Sequence, residues 1–269
     1  MDTFDYLFYL DLYPDLREAN INDFRGAYNH YKRFGKAEGR ICNKEQMQRN
    51  LENREKEYLK EAREYVQTTT DEHKINILIR TSNRAQCFHE CIKSVIRQYY
   101  ENYQVYICYD KDESLTYLRD YANDAWIRFF PISVESKEKY KFNLYCNELM
   151  DKVDDGYIMF LDDDDMLCHC RVFQMINDAL SRDEESICVW KFLRPDKVIY
   201  PKDVTEIKLG EITTSGFAFH SKHKMLSRWP DKQCGDYAFF SGLQEHLAVK
   251  PFDYILTKTV DQVIGHFGS

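Results

Sequence analysis

The 269-residue sequence predicts an α/β domain with a mostly parallel central sheet, preceded by a small all-helical module and a linking helix. Three observations carry this. Between Ile75 and Leu161, short apolar runs with strand spacing alternate with longer segments of helical spacing, as when parallel strands are joined through covering helices. Residues 44–67 are densely charged and contain neither Gly nor Pro. Aromatic residues crowd the first 43 positions in short stretches punctuated by Pro14 and Gly35. The expected divisions are therefore 1–43, 44–70 and 71–269.

In the first division, Tyr6-Leu7-Phe8-Tyr9-Leu10, Tyr13-Pro14-Asp15-Leu16 and Ala27-Tyr28-Asn29-His30-Tyr31 predict two or three short helices around an aromatic cluster. Gly35 is placed as a helix C-cap. So small a core is marginal alone. In the second, Met47, Leu51, Tyr58, Leu59, Ala62 and Val66 form a thin stripe on a solvated helix, which Thr68-Thr69-Thr70-Asp71 ends. In the third, Ile75, Ile77 and Ile79 have strand period, and Phe88, Cys91, Ile92, Val95, Ile96 and Tyr99 have helix period. Strands are then expected over 105–109, 126–130 and 157–161, with helices over 115–121 and 142–153.

Composition bounds the function. With 43% hydrophobic and 15% aromatic residues, the chain can bury one sizeable core. A net charge of -8 argues against nonspecific binding to nucleic acid or anionic membrane. The apolar runs, such as Tyr157 to Leu161, fall far short of the ~18 residues a transmembrane helix needs. The acidic start, Met1-Asp2-Thr3-Phe4-Asp5, lacks the features of a signal peptide. Nine cysteines, an odd number, and the absence of any Asn-x-Ser/Thr sequon suggest reduced thiols and a cytoplasmic location. Cys87-Phe88-His89-Glu90-Cys91 and Cys168-His169-Cys170 have metal-like spacings. The plainer reading is that Cys87 and Cys91, one helical turn apart, pack as small apolar residues.

In an open α/β sheet, ligands bind beyond the carboxyl ends of the strands. Three polar segments fall there: Arg80-Thr81-Ser82-Asn83-Arg84, then Asp110, then Asp162-Asp163-Asp164-Asp165. The first suits a helix start whose amides approach a phosphate. Four like charges after a buried strand are unfavourable unless something neutralises them. A hard cation such as Mg2+ or Mn2+ does so through carboxylate oxygens, leaving coordination sites for substrate phosphates. The alternative is a solvated acidic turn capping the next helix. Trp190, Phe192, Tyr200 and Trp229 are candidates to stack on a ring of a bound ligand, although aromatics at that density commonly form core.

The stretch from Ile77 to Asp165 resembles the GT-A glycosyltransferases of the family-2-like group. Ile79 to Arg84 and Val105 to Asp110 are similar to the family's opening strands and turns. Gly156-Tyr157-Ile158-Met159-Phe160-Leu161-Asp162-Asp163-Asp164-Asp165 is similar to its Gly-x-Tyr-Ile-x-Phe-Leu-Asp-x-Asp-Asp signature. The resemblance implies a Rossmann-like GT-A fold and places the DxD pair at Asp162 and Asp164. It implies that Thr81, Ser82, Asn83, Arg84, Asp110, Asp162 and Asp163 contact the donor nucleotide. Asp164, Asp162 and His266 are then the metal ligands, with Mn2+ or Mg2+ bound. Ser215-Gly216-Phe217-Ala218-Phe219 is similar to the strand before the acceptor site, and Cys234-Gly235-Asp236-Tyr237 falls where the family carries Glu-Asp. Asp236 is thus the expected catalytic base. Tyr109 and Lys111 flank Asp110 where many members have Asp and Gly, the Arg-Asn-x-Gly element is reduced to Cys146-Asn147, and Gly235 replaces Glu.

The expected activity is metal-dependent, inverting transfer of one sugar from a UDP-, GDP- or dTDP-sugar to a hydroxyl of a glycan or protein-linked acceptor. The alternatives are a catalytically inactive sugar- or partner-binding module and a nucleotidyltransferase. The latter wants a glycine-rich loop that Thr81 to Gln86 lacks. Tyr13-Pro14-Asp15-Leu16 with His30-Tyr31-x-x-Phe34-Gly35-x-x-Glu38-Gly39-Arg40 resembles a short helical module attached to surface-polysaccharide and viral or bacterial proteins. That module is expected to self-associate, dock a partner or brace the larger domain.

Overall fold

The computed structural model describes residues 3–47, 49–50, 53, 56, 60, 64–132, 139–195 and 198–259. His266 lies outside them, as do Leu51, Tyr58, Leu59 and Ala62 of the expected stripe. The chain divides into two compact units, Met1–Arg63 and Glu64–Ser269.

The first unit opens with α1 (Tyr6–Leu12), α2 (Pro14–Glu18) and α3 (Phe24–His30). Asp5 caps α1 by accepting the Phe8 N–H at 3.0 Å, and Asp23 caps α3 by accepting that of Gly26 at 2.7 Å. Pro14 begins α2, where its missing N–H is no loss. Tyr9, Leu10, Leu16 and Ala27 form the buried centre, ringed by Phe4, Tyr13 and Tyr31. Gly35 does not cap a helix. It lies in a π-helical turn, Tyr31–Gly35, that runs on into right-handed backbone at Lys36. It is small because any Cβ there would collide with the Tyr9 hydroxyl. Residues 44–47, 49, 50, 53, 56, 60 and 64 are helical, and residues 65–74 belong to no helix or strand.

In the second unit a nine-stranded sheet runs in the order β3-β2-β1-β4-β8-β6-β9-β5, with β7 beside β6. The strands are β1 (Ile75–Thr81), β2 (Tyr103–Tyr109), β3 (Ile127–Pro131), β4 (Tyr157–Phe160), β5 (Asp165–Leu167), β6 (Ser186–Leu193), β7 (Ile199–Tyr200), β8 (Phe217–His220) and β9 (Ala248–Thr259). Strands β1 to β4 pair in parallel, and β9 is parallel to β6, whereas β5, β7 and β8 run the other way. The covering helices are α4 (Ala85–Ile96), the short α5 (Leu115–Leu118), α6 (Phe142–Asp151), α7 (Val172–Leu180) and α8 (Gly235–Gln244). The helix expected over 115–121 tightens to a 3-10 turn at Arg119–Tyr121. None of the described helices is long and apolar enough to cross a membrane.

Alternate residues of the strands feed two cores. Ile75, Ile77 and Ile79 pack with Phe88, Ile92 and Val95 of α4. Leu78, Ile158 and Phe160 pack with Leu149 of α6 and Phe239 of α8. Burial on both faces is what makes parallel strands read as nearly continuous apolar runs. Each fully buried Leu, Ile or Phe contributes about 1.5–3 kcal/mol. Cys87 and Cys91 are buried along α4, and all nine cysteines are free thiols.

Two local features fix the sheet at the amino ends of its strands. Gly156 takes a left-handed φ of +87°, and a Cβ there would strike the Lys74 carbonyl. This close approach lets the Tyr157 N–H donate to Lys74 O at 2.8 Å and sets the register of β4 beside β1. At the entry to β1, Asp178 of α7 accepts the Tyr65 hydroxyl, the Thr68 N–H at 2.6 Å and the Thr69 N–H at 3.2 Å. Its neighbour Asn177 accepts the His73 N–H at 3.1 Å and donates to Asp71 O at 2.8 Å.

Candidate active site

Because β1, β2 and β4 are parallel neighbours, the segments after Ile79, Tyr109 and Leu161 emerge along one sheet edge. The acidic quartet is sorted by the turn there. Asp163 and Asp165 point inward and are 0% and 4% exposed. The Asp162 and Asp164 side chains are 19% and 34% exposed.

Two arginines neutralise much of this charge. Arg80, the penultimate residue of β1, holds Asp162 in a two-pronged pair, Nε to Oδ1 at 2.6 Å and Nη2 to Oδ2 at 2.9 Å. Burial opposes charge on both partners. For Arg80 the negative charge of Asp162 prevails and raises its pKa, and for Asp162 the Arg80 guanidinium holds the carboxyl below its ordinary value. Such bidentate pairs are among the stronger charge-assisted contacts. Arg84 donates through Nη1 to Asp164 at 2.9 Å, through Nε to Asp163 at 3.2 Å and through Nη2 to Asp163. Burial pushes the Asp163 carboxyl up to about 7, against the pull of Arg84 and of the Thr81 hydroxyl that donates to it at 2.7 Å. Burial also drives Asp165 well above the usual carboxylate range, where the Thr259 hydroxyl donates to it at 2.9 Å.

The other expected donor contacts lie nearby. Thr81 is buried, and its hydroxyl also meets that of Tyr117 at 2.8 Å. Thr81 and Asp163 therefore lie beneath the surface. Ser82 is partly exposed and Asn83 is exposed in the turn between β1 and α4. Asn83 takes left-handed backbone at φ 52°, and its N–H donates to Ser114 Oγ at 2.9 Å. Asp110 borders a cavity of about 240 Å³ with Tyr109, Lys111, Pro131, Lys141 and Tyr145. The Tyr145 hydroxyl donates to Asp110 at 3.4 Å, and burial together with Asp110 raises it to about 12.

Asp236 sits in the first turn of α8 and lines a larger cavity of about 430 Å³. Arg80, Thr214 and Trp229 border the same space. One Asp236 oxygen accepts the Tyr237 N–H at 2.8 Å. Burial raises its pKa, and the negative charge of Asp162 adds to the rise. A partly buried carboxylate with a raised pKa in a cleft is the physical profile of a general base.

Two residues outside the expected set organise this cavity. Arg80 links β1 to the start of α6, donating to Phe142 O at 3.0 Å and to Asn143 Oδ1 at 3.4 Å. Asn143 in turn donates to Lys232 O at 2.9 Å and Pro230 O at 3.2 Å, fixing the loop that delivers Asp236. Gly235 makes this possible, since a Cβ there would collide with Asn143 Nδ2 and lie 2.8 Å from its Cγ. Asn147 pairs with the Trp229 backbone in both directions at 2.9 Å, so it serves the loop and not a ligand. Of the candidate stacking aromatics, Phe192 and Trp229 line the cavity. Trp190 is 0% exposed and donates to Ser215 O at 2.9 Å, a core residue.

Solved structures share this architecture. Staphylococcus aureus TarS matches with a TM-score of 0.57 and 12% identity over 70% of this chain and 36% of its own. Its 1-349 fragment in complex with UDP-GlcNAc gives 0.56, 12%, 73% and 60%. The mannosyltransferase PcManGT from Pyrobaculum calidifontis, in complex with GDP-Man and Mn2+, gives 0.58, 13%, 77% and 62%. The chain thus spans from 36% to 62% of the length of these three structures. No curated protein matches it in sequence. The sequence model for glycosyl transferase family 2 matches residues 76–242, from β1 into α8 and well over half of the chain, and the protein belongs to that family.

Proposed function

We propose that this protein transfers a single sugar from a nucleotide-sugar donor to an acceptor hydroxyl, with a divalent cation and with inversion at the anomeric carbon. The observation that carries the reading is that Asp236 borders one cavity with Arg80, whose guanidinium holds Asp162 at the carboxyl edge of the sheet. On this reading the donor lies across the ends of β2, β1 and β4, with its base in the cavity beside Asp110. Ser82 and Asn83 flank the phosphates, and Thr81 and Asp163 brace the floor from below. The UDP-GlcNAc and GDP-Man complexes of the structural neighbours support a nucleotide-sugar donor.

Among the described residues, no three His, Cys, Asp or Glu side chains gather to hold a metal. The donor set nevertheless suits Mg2+ or Mn2+, which are commonly held by one or two carboxylates with phosphate oxygens completing the shell. Asp164, the more exposed of the DxD pair, is the principal ligand, with Asp162 beside it. A bound cation supplies Lewis-acid stabilisation of the leaving diphosphate. Arg84, held between Asp163 and Asp164, adds positive charge where the diphosphate departs. Asp236 accepts the proton of the acceptor hydroxyl as it attacks, and a single base without a second nucleophile implies a single displacement.

The test is release of nucleoside diphosphate when the purified protein is incubated with Mn2+ and each of UDP-GlcNAc, GDP-Man and a dTDP-sugar. Slow hydrolysis of one donor, lost in Asp236→Asn, supports the reading. Donor binding without turnover in the wild type points instead to an inactive binding module, and no binding of any donor refutes both.

A further inference from the structure

Asp162 and Asp164, the two carboxylates proposed to hold the cation, each already meet an arginine, and the two arginines are held differently. Arg80 is part of the frame. Besides its two-pronged pair with Asp162, it donates to Phe142 O at 3.0 Å, to Asn143 Oδ1 at 3.4 Å and to Thr214 Oγ1 at 3.5 Å. Its side chain is 14% exposed, and its strand is paired on both sides. Arg84 is less confined. Its side chain is 29% exposed at the N-cap of α4, and among the described residues its guanidinium donates only to Asp163 and Asp164.

Arg84 Nη1 lies 2.9 Å from Asp164 Oδ2. A guanidinium against that carboxylate and a divalent ion on it are like charges at contact range, so one opposes the other. Arg84 must therefore leave Asp164 before the carboxylate can serve a cation. Asp163 does not depend on Arg84 alone, because the buried Thr81 hydroxyl donates to it at 2.7 Å. The freed side chain also has a destination. Arg84 directly precedes the twelve-residue α4, whose first turn receives no side-chain cap from it, and amides at such a helix start favour an anion. A diphosphate lying there would be beside the guanidinium, whose planar fork matches phosphate oxygens.

We propose that Arg84 is an exchangeable counter-ion, holding Asp164 in the resting protein and turning to the phosphates of a bound nucleoside diphosphate, which frees Asp164 for the cation. Arg84 thereby couples the two ligands: it screens Asp164 while no nucleotide is present and releases it when one binds. By linkage, nucleotide and cation then raise each other's affinity by the same factor. The inference rests on the reading of Asp164 as a cation ligand, and it gives Arg84 a positioning role beyond the charge it lends the leaving group.

The experiment titrates the full chain with Mn2+, reading free Mn2+ by electron paramagnetic resonance, in wild type and Arg84→Gln. Without nucleotide, Arg84→Gln should bind Mn2+ roughly tenfold tighter than wild type, the lower end of what a hydrogen bond to a charged group is worth. Adding Asp164→Asn to Arg84→Gln should abolish that gain. Calorimetry with UDP and GDP should show Mn2+ tightening one of them by about 5- to 150-fold in wild type, and by clearly less in Arg84→Gln. Free Mn2+ bound no more tightly by Arg84→Gln than by wild type overturns the proposal, as does a gain that survives Asp164→Asn. Nucleotide and Mn2+ that bind wild type independently of each other overturn it as well. Thermal unfolding verifies the fold, and Arg84→Met carries the same comparison if Arg84→Gln does not fold. Donor hydrolysis by wild type with no Mn2+ gain in Arg84→Gln sinks the counter-ion and leaves the catalytic reading standing. The gain and the coupling without any donor turnover do the reverse.

Discussion

Replacing Gly235 by Ala tests the frame that carries the candidate base. No left-handed backbone is needed at this position, so the change is a question of space. The new Cβ would overlap Asn143 Nδ2 and press on its Cγ at 2.8 Å. Asn143 is 4% exposed and anchored, so its amide can yield only by leaving Pro230 O and Lys232 O. Two such hydrogen bonds are worth about 1 kcal/mol each, with more lost if the carbonyls stay buried and unpaired. Ala is favoured over Gly in a helix by up to about 1 kcal/mol, which offsets part of this. The expected net destabilisation is about 1–2 kcal/mol, a fall in unfolding midpoint of roughly 2–8 °C for a domain of this size. Turnover should fall more steeply, because a displacement of about 1 Å at a catalytic group can lose ~100-fold in rate. Asn143→Ala opens the space, so the double variant should be less destabilised than the sum of the singles, with a coupling of about 0.5–3 kcal/mol. Calorimetry and the donor-hydrolysis assay give both readouts. Strict additivity, or a Gly235→Ala protein with wild-type stability and rate, would refute the claim that Asn143 occupies the room a side chain at 235 needs.

The remaining expectations concern the carboxylates. Asp236→Asn should lower turnover by about 100- to 10,000-fold with donor affinity largely kept, and an equal loss of donor affinity would count against its role as base. Asp164→Asn should remove the Mn2+-dependent part of donor binding, and an unchanged titration with and without Mn2+ would reject it as principal ligand. Because burial raises the Asp236 pKa, the acidic limb of the rate profile should lie above the ordinary aspartate range, with activity rising as the carboxyl deprotonates; a limb at the ordinary value contradicts this. Burial likewise places Asp163 at about 7. Its contribution to stability is complete below the ordinary aspartate pKa of about 4 and lost as pH rises through about 7. Asp163→Asn should therefore flatten the stability profile between those limits, as read from urea midpoints across pH.

The fold is legible in the sequence because its signals are local and repeated. Ile75, Ile77 and Ile79 announce a buried strand, and Phe88 with Cys91, Ile92 and Val95 announces the helix that covers it. The chain-order logic of parallel strands then puts residues 80–84, Asp110 and Asp162 on one edge. Gly35 departs from its expected role for a definable reason. A glycine after an aromatic helix matches the pattern of a C-cap, yet here the demand comes from Tyr9, distant in sequence, whose hydroxyl leaves no room for a Cβ. Glycines required by contact carry no mark in the surrounding sequence.

The same distinction separates the visible from the hidden parts of the site. Four consecutive aspartates stand out, and they invite a cation as the agent that makes them tolerable. In the fold the four charges are met separately. Asp165 is pushed toward its neutral form by burial, Asp162 is matched by Arg80, and Asp163 and Asp164 share Arg84. Arg84 follows a turn and invites inspection, whereas Arg80 is the sixth residue of a strand that is apolar at four of its seven positions and could equally face solvent. What decides is the parallel register of β1 with β4, which places the two strand ends together, and no single segment encodes it. Asn143 and Gly235, 92 positions apart in the sequence numbering, fit because one lacks what the other fills. Seen alone, Gly235 is a departure from the family's Glu-Asp pair and weakens the case for Asp236. Seen with Asn143, it is the complement that lets an amide on α6 hold the loop before the candidate base, so a glutamate introduced at 235 should damage this site.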